Sequence, residues 1–152
     1  MLLRDIAEYQ FDFHIAMSLF PNEKKFLIQR SIKTGKIRNI LTENGQLYLV
    51  LRAQDMLFSL TLLSAEVIRI NSKFPEYRVV IPNNIEQFIR EGRNVFAKHV
   101  LLADPRIRGG DEVLVVNSDD KLIAIGKAKI SGEEMMEYKR GVAVHVKRGV
   151  KI

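Results

Sequence analysis

The sequence lacks cysteine and has only three histidines in 152 residues. Without cysteine, disulfides, thiolate metal ligands and cysteine nucleophiles are excluded together. His14, His99 and His145 lie too far apart to show the spacing of a metal site. The phosphate-binding loop, the nucleophile elbow and the dinucleotide fingerprint are also absent. The sequence therefore predicts no metal site, cofactor or catalytic residue, and we expect a protein that is not an enzyme.

Long apolar runs are missing too. The longest runs, such as LYLVL at 47–51 and VLLA at 100–103, have the length of a strand, so we expect no transmembrane helix. The first residues lack the basic and long apolar regions of a secretory signal. Together with the absence of cysteine, these features favour a cytoplasmic location.

Acidic residues are missing from two segments. Residues 24–38 carry six positive charges and residues 139–152 carry five, and the whole chain has a net charge of +6. Basic surfaces of this kind attract phosphate backbones and anionic membranes alike. The same charges also occur on strand faces that merely contact water, so charge alone leaves both interpretations open.

The first part of the chain shows a mixed helix and strand pattern. Apolar residues recur at helical spacing over 2–9, 12–20 and 62–72, and Pro75 ends the last of these helices. Four short strands are predicted between the second and third helices, with a turn signal at Glu43-Asn44-Gly45. This part is predicted to form a small α+β unit.

A second unit is predicted to begin near Tyr77. The segment YRVVI is a strand, and a helix over 85–91 follows, with Asn84 as its N-cap and Gly92 as its left-handed C-terminal cap. Strands and turns at regular spacing then favour a small β-barrel, in which Gly126 indicates a bulge or a close backbone approach. The predicted strands are VFAKHVLLA, DEVLVVN, LIAIGKAKIS and GVAVHVKRG, and the segment SGEEMMEYKR is predicted to be a turn.

From Arg78 onward the sequence resembles a PUA domain, the small RNA-binding barrel of pseudouridine synthases and archaeosine transglycosylases. The resemblance rests on RVVIP, EGRNVFAKHVLLADPRIRGGDEVLVVN, DDKLIAIGKAKISGEEM and KRGVAVHVKRG, which follow in the order of that family. Many PUA domains have a proline and a glycine where this sequence has Lys98 and His99. There the glycine lets the RNA backbone approach closely, so this departure implies a different local contact.

The preceding residues are similar to the domain before the PUA domain in archaeal tRNA-guanine transglycosylases of the archaeosine type. The segments IAEYQFDF, LFP, RSIKTGKIRNI and LFSLTLLSAEVI carry this similarity. The predicted fold class is therefore α+β, with an N-terminal α/β pre-PUA domain over 1–76 and a PUA-type β-barrel over 77–152.

The resemblance implies a role in tRNA modification through RNA binding, with the PUA domain engaging the acceptor stem and 3′ end of tRNA. The catalytic barrel of that family needs about 250 residues, so none fits within this sequence. A separate catalytic transglycosylase subunit is a possible partner, and no membrane partner is expected.

The candidate RNA contacts lie on the turn after the helix at 85–91, on the strand that this turn leads into, and on the last strand with its approach. Alternation along the last strand places two basic side chains on one face and Val142, Val144 and Val146 on the other. The predicted contacts are Gly92, Arg93, Asn94, Lys98, His99, Arg140, Gly141, His145 and Lys147. A secondary basic patch is predicted at Lys33, Lys36 and Arg38.

Three further functions stay open from the sequence. The first is a translation or ribosome-associated factor, because PUA domains also occur in such proteins with an N-terminal partner domain. The second is an enzyme with an unrecognised site. The third is a protein-interaction module whose basic faces are merely solvated.

Overall fold

The computed structural model describes residues 2–151 and divides the chain into two units, the first ending at Ser72 and the second beginning at Lys73. Each unit combines helices with one β-sheet, which confirms the predicted α+β class. The predicted division of the chain after residue 76 stays a prediction.

The first unit is a four-stranded antiparallel sheet, of order β1-β2-β3-β4, with three helices. Its elements are α1 (Leu2–Gln10), α2 (Phe13–Leu19), β1 (Phe26–Arg30), β2 (Ile37–Thr42), β3 (Leu47–Leu51), β4 (Phe58–Leu60) and α3 (Leu62–Asn71). Helix α3 begins at a capping box, because the Thr61 side chain accepts from the Ser64 backbone and the Ser64 hydroxyl accepts from Thr61 N. The fully buried side chains include Ile15, Leu19, Phe20, Ile40, Leu49, Leu51, Phe58 and Ile68.

The second unit is built on a six-stranded sheet of order β6-β10-β9-β8-β5-β7. Its elements are β5 (Arg78–Val80), α4 (Glu86–Arg90), β6 (Val95–Phe96), β7 (Leu102–Ala103), β8 (Glu112–Val116), β9 (Leu122–Ala128), α5 (Gly132–Glu137) and β10 (Val142–Gly149). Strands β5 and β8 run parallel, and the other neighbouring pairs run antiparallel. One apolar cluster fills the sheet interior, with Val79, Ile81, Val113, Val115, Ile123 and Val144 all fully buried.

The connection between β6 and β7 shows why this sheet must curl. These are its two edge strands, and in a flat sheet they would lie about 24 Å apart, since neighbouring strands are about 4.8 Å apart. Five residues link them, and three of those form a 3-10 helix, Ala97–His99, that rises only about 2 Å per residue. Ala97 N donates to Gly141 O and Leu101 N donates to Val80 O, each at 2.9 Å. The link therefore joins the two edges of a barrel-like sheet.

This connection corrects the predicted strand over 95–103. Lys98 and His99 lie in the 3-10 helix and not in a strand. Pairing with β10 ends at Ala97, and pairing with β5 begins only at Leu101, so the chain turns between the two. Apolar residues lie on both sides of Lys98 and His99, so the sequence pattern resembles one continuous strand and does not indicate the turn.

Gly126 confirms the predicted close backbone approach. A Cβ added there would lie 2.4 Å from His145 O and 2.7 Å from Val144 Cγ1 on the neighbouring strand β10. Real Cβ atoms essentially never come within 3.0 Å of a non-bonded heavy atom elsewhere in the chain, so only glycine fits where β9 and β10 approach this closely.

The segment SGEEMMEYKR, predicted to be a turn, instead contains helix α5. Ser131 and Glu134 form a capping box, in which Ser131 N donates to Glu134 Oε1 at 2.9 Å and Glu134 N donates to Ser131 Oγ at 3.1 Å. The hydrogen bond from the Ser131 backbone lowers the pKa of Glu134, and the charge of Glu134 raises the pKa of Tyr138. Met135 is fully buried and anchors the helix.

The structure contradicts the predicted N-cap of α4 and confirms its predicted C-terminal cap. Asn83–Ile85 form a 3-10 helix, and its last residue, Ile85, is the N-cap of α4. The predicted N-cap at Asn84 is therefore wrong. Gly92 has φ +99°, as predicted for a left-handed cap. Gly92 N donates to Ile89 O and Arg93 N donates to Phe88 O, which is the Schellman arrangement.

Candidate nucleic-acid interface

Strand β6 brings together two segments that lie more than forty residues apart in the sequence. Phe96 pairs with Val142 of β10, and Ala97 N donates to Gly141 O at 2.9 Å. The loop after α4 lies at one end of β6, and the 3-10 helix with Lys98 and His99 lies at the other. The structure thus gathers most of the predicted contacts along one edge of the PUA-like sheet.

Asn94 fastens the loop after α4 to the last strand. Its Oδ1 accepts from Val146 N at 3.0 Å, and its side chain is half-buried. That hydrogen bond occupies the side-chain oxygen of Asn94 and fixes the backbone position of the neighbouring Arg93. Asn94 therefore has a structural role beside its predicted contact with RNA.

Gly92 and Gly141 are both exposed and both have a positive φ, +99° and +83° respectively. No atom of residues 2–151 lies within 4 Å of a Cβ built on either glycine, apart from chain neighbours. Backbone conformation is thus the local reason for glycine at both positions. Because neither position is covered, both leave the backbone open to an approaching ligand.

Three exposed cations surround β6, namely Arg93, Lys98 and Arg140. The Arg93 guanidinium lies over the Phe88 ring, 5.4 Å from its centroid, which holds it in place without neutralising it. Within residues 2–151, neither Lys98 nor Arg140 forms an ion pair. Their charges are therefore available to an anionic partner.

Phe96 lies among these cations, although it is absent from the contacts predicted from the sequence. Its side chain is 45% exposed, whereas its neighbours Val95 and Ala97 are buried. In the sequence, Val95, Phe96 and Ala97 are all apolar, so no alternation of polar and apolar residues marked this ring as exposed. An exposed aromatic ring beside unneutralised cations can stack on a nucleobase.

The last strand, β10, follows the predicted alternation of buried and exposed side chains only in part. His145 is exposed and faces away from the core, and Val144 is fully buried, as alternation predicts. Val142 and Val146 are only half-buried, and the pairing of β10 with β9 is irregular between Val146 and Arg148. Lys147, at this irregularity, reaches the carboxylate of Glu112 at 2.9 Å. Its charge is therefore partly used within the fold.

The secondary basic patch lies in the first unit. Lys33 and Lys36 are exposed on the turn between β1 and β2, whereas Arg38 is half-buried on β2 and donates to Ile37 O at 3.1 Å. The turn presents the two lysines, and the strand holds the arginine closer to the sheet.

Two arrangements are absent from the described part of the chain. No group of His, Asp and Glu side chains among residues 2–151 is arranged to hold a metal ion. In the same range, no helix has both the length and the apolar character needed to cross a bilayer.

Comparison with known families agrees with this architecture. Residues 77–150 match the PUA domain, and residues 2–75 match the patch-forming domain C2 of tRNA-guanine transglycosylase. The chain is a C2 domain followed by a PUA domain. Both resemblances found in the sequence are thereby confirmed.

Known proteins similar to the C2 and PUA domains together include the tRNA-guanine(15) transglycosylase of Methanocaldococcus jannaschii. The sequences are 41% identical over 150 residues, which is 99% of this chain and 23% of that protein. The chain spans between 20% and 23% of the length of the first curated relatives it matches. Their similarity therefore concerns one part of a longer protein.

Two solved structures share the fold of the C2 and PUA domains. A hypothetical protein from Pyrococcus horikoshii superposes with a TM-score of 0.76 at 24% identity, and the match covers 97% of this chain and 87% of that protein's chain. A conserved PUA domain protein from Thermoplasma acidophilum gives 0.63 at 20% identity, covering 97% and 85%. At these identities the likeness supports the fold alone.

Proposed function

We propose that this chain binds tRNA and does not itself catalyse a reaction. The PUA domain, over 77–152, engages the acceptor stem and 3′ end, and the C2 domain, over 1–76, adds a second basic contact. The chain acts in the cytoplasm beside a separate catalytic transglycosylase subunit. The names of its relatives, which act on guanine 15 of tRNA, support this choice of RNA.

One observation carries the proposal. Arg93, Lys98 and Arg140 come from separate segments that adjoin β6, and within residues 2–151 none of them forms an ion pair. Some other arginines of the PUA domain are paired, as Arg78 is with Asp120 at 2.8 Å and Arg90 is with Glu86 at 3.3 Å, whereas Arg108 and Arg148 are exposed. What distinguishes the three cations around β6 is their setting, because the exposed ring of Phe96 and the uncovered backbone of Gly92 and Gly141 lie beside them.

The mechanism is electrostatic docking on a folded RNA. Each phosphate neutralised by Lys or Arg releases condensed counterions, which favours binding at low salt. A-form helices hide their base edges in a deep, narrow groove, so the domain reads shape, 2′-hydroxyls and backbone. Gly92 and Gly141 allow a close approach of the RNA backbone, and His99 and His145 add further contacts.

A filter-binding titration of an unmodified tRNA transcript at several salt concentrations tests the proposal. Lys98→Ala/Arg140→Ala should reduce the steepness of the salt dependence by about 1 to 2 and weaken binding roughly tenfold at moderate salt. The charge-matched control is Arg108→Ala/Lys121→Ala, which removes two exposed cations from the turns on either side of β8. Equal losses in both variants, or affinity insensitive to salt, would overturn the assignment.

Crosslinking in the native cell decides which RNA is bound. Recovery of tRNA supports the proposal, whereas recovery of ribosomal RNA supports a translation or ribosome-associated factor. Mass spectrometry of the co-purified proteins shows whether a transglycosylase subunit accompanies the chain.

A further inference from the structure

The turn between β1 and β2 is a stiff, well-bonded tip. Ser31 N donates to Lys36 O and Gly35 N donates to Ser31 O, each at 2.8 Å. The Arg30 guanidinium donates to Gly35 O at 3.0 Å, and Gly35 has φ +72°, which glycine adopts without strain. The residues between Ser31 and Gly35 are therefore held in one conformation.

Ile32 projects from this tip into water. Its side chain is 103% exposed, so it packs against nothing within the turn. A single exposed apolar residue is ordinary on a protein surface. This one differs in its setting, because residues 24–42 contain six cations and no carboxylate, and Lys33 and Lys36 follow it on the same turn. The tip thus combines one aliphatic side chain with two exposed ammonium groups.

We propose that Ile32 is a wedge that enters between neighbouring bases of the bound tRNA, with Lys33 and Lys36 on the adjacent phosphates. The inference rests on the proposed function and adds a further activity to it, namely local unstacking of folded RNA. Aliphatic side chains of architectural nucleic-acid-binding proteins enter base steps in this way, between basic contacts to the backbone. Burial between two bases removes Ile32 from water, which favours insertion.

The geometry favours RNA over a membrane surface. Stable membrane association needs a broad apolar face, such as that of an amphipathic helix. The tip offers one side chain, which matches the gap between two bases. Its stiffness also favours insertion, since a preorganised wedge loses little conformational freedom on binding.

The test measures 2′-hydroxyl acylation along an unmodified tRNA transcript, free and saturated with the full chain. Wild type should raise the reactivity of a few neighbouring nucleotides at a base step that is stacked in free tRNA. Ile32→Ser should remove at least two thirds of that gain at saturating protein and leave the salt dependence of binding unchanged. Lys33→Ala/Lys36→Ala should reduce the salt dependence by about 1 to 2.

Leu27→Ser is the matched control, because Leu27 is an exposed apolar residue on β1 of the same hairpin. It should keep the full gain in reactivity, and thermal melting checks that both serine variants are folded. Binding without any reactivity gain, or the same gain in Ile32→Ser, overturns the wedge and leaves tRNA binding intact. Absence of any tRNA binding by wild type instead overturns the proposed function. Co-sedimentation with anionic phospholipid vesicles that depends on Ile32, with no change in tRNA reactivity, would assign the tip to membranes.

Discussion

Lys147 Nζ, on β10, lies 2.9 Å from Glu112 Oε2, on β8. The Glu112 side chain is only 1% exposed, whereas that of Lys147 is 36% exposed. Glu112 on β8 also pairs in register with Lys127 on β9, and Lys127 pairs with His145 on β10. The carboxylate therefore lies at one end of a row that includes two basic residues on the neighbouring strands. Removing one partner of such a pair leaves a buried charge with less compensation. A predicted RNA contact thus also stabilises the fold.

Lys147→Ala should therefore destabilise the protein. We expect the free energy of unfolding to fall by about 1–3 kcal/mol, below the usual loss for a fully buried pair because the lysine is partly solvated. Urea unfolding at neutral pH measures this change. Lys98→Ala, at an exposed position, should change stability by about 0.5 kcal/mol or less. Equal effects of the two substitutions would show that the pair with Glu112 contributes nothing to stability.

Glu112→Gln should strengthen RNA binding while keeping the shape of the side chain. The substitution removes the negative charge that partly neutralises Lys147, and so makes one more cation available to phosphate. We expect tRNA affinity to rise a few-fold at moderate salt and the salt dependence to steepen by about 1. Filter binding measures both quantities. An unchanged salt dependence would mean that Lys147 lies outside the RNA contact.

Regular alternation and helical spacing were sufficient to predict much of this fold. Helix α3 is observed at Leu62–Asn71 against a predicted 62–72, and β8, β9 and β10 all fall within their predicted segments. These elements bury one face or both, so their apolar pattern directly reflects the core. The family resemblance added the order of the two domains, which periodicity alone does not give.

Two failures come from places where tertiary contacts decide the structure, and a third, helix α5, comes from a local signal that the turn prediction overlooked. The turn at Ala97–His99 exists because the sheet edges must meet, which no local pattern encodes. Helix α5 has only six residues and four charged or small ones, yet Ser131 and Glu134 formed a readable capping-box signal. The pairing of Lys147 with Glu112 joins residues 35 apart in sequence, so it was visible only in the structure.

Gly126→Ala should be strongly destabilising. Its Cβ would lie 2.4 Å from the carbonyl oxygen of His145, and backbone on a neighbouring strand cannot move aside as a flexible side chain can. We expect a loss of about 2 kcal/mol or more in the free energy of unfolding, measured by urea titration. Gly109→Ala is the control, because its nearest contact, Lys129 O, lies 3.3 Å away. Similar losses in both variants would contradict the close approach as the cause.

Phe96 is expected to stack on an unpaired base at the 3′ end of tRNA. The ring is 45% exposed on β6, between the loop that carries Arg93 and the helix that carries Lys98. Stacking of one base on an aromatic side chain contributes about 1–3 kcal/mol, so Phe96→Leu should weaken binding roughly tenfold. A tRNA with 2-aminopurine at its 3′-terminal position reports the contact, since stacking quenches its fluorescence.

Phe88→Leu provides the matched control for this contact. Phe88 is similarly exposed, at 49%, but the Arg93 guanidinium already covers its ring, 5.4 Å from the centroid. We therefore expect Phe88→Leu to keep the fluorescence quenching and Phe96→Leu to lose it, while both keep the salt dependence of wild type. Loss of binding without a change in quenching would indicate that Phe96 supports the shape of the surface and does not touch a base. Quenching that depends on Phe88 instead would place the 3′ end over α4.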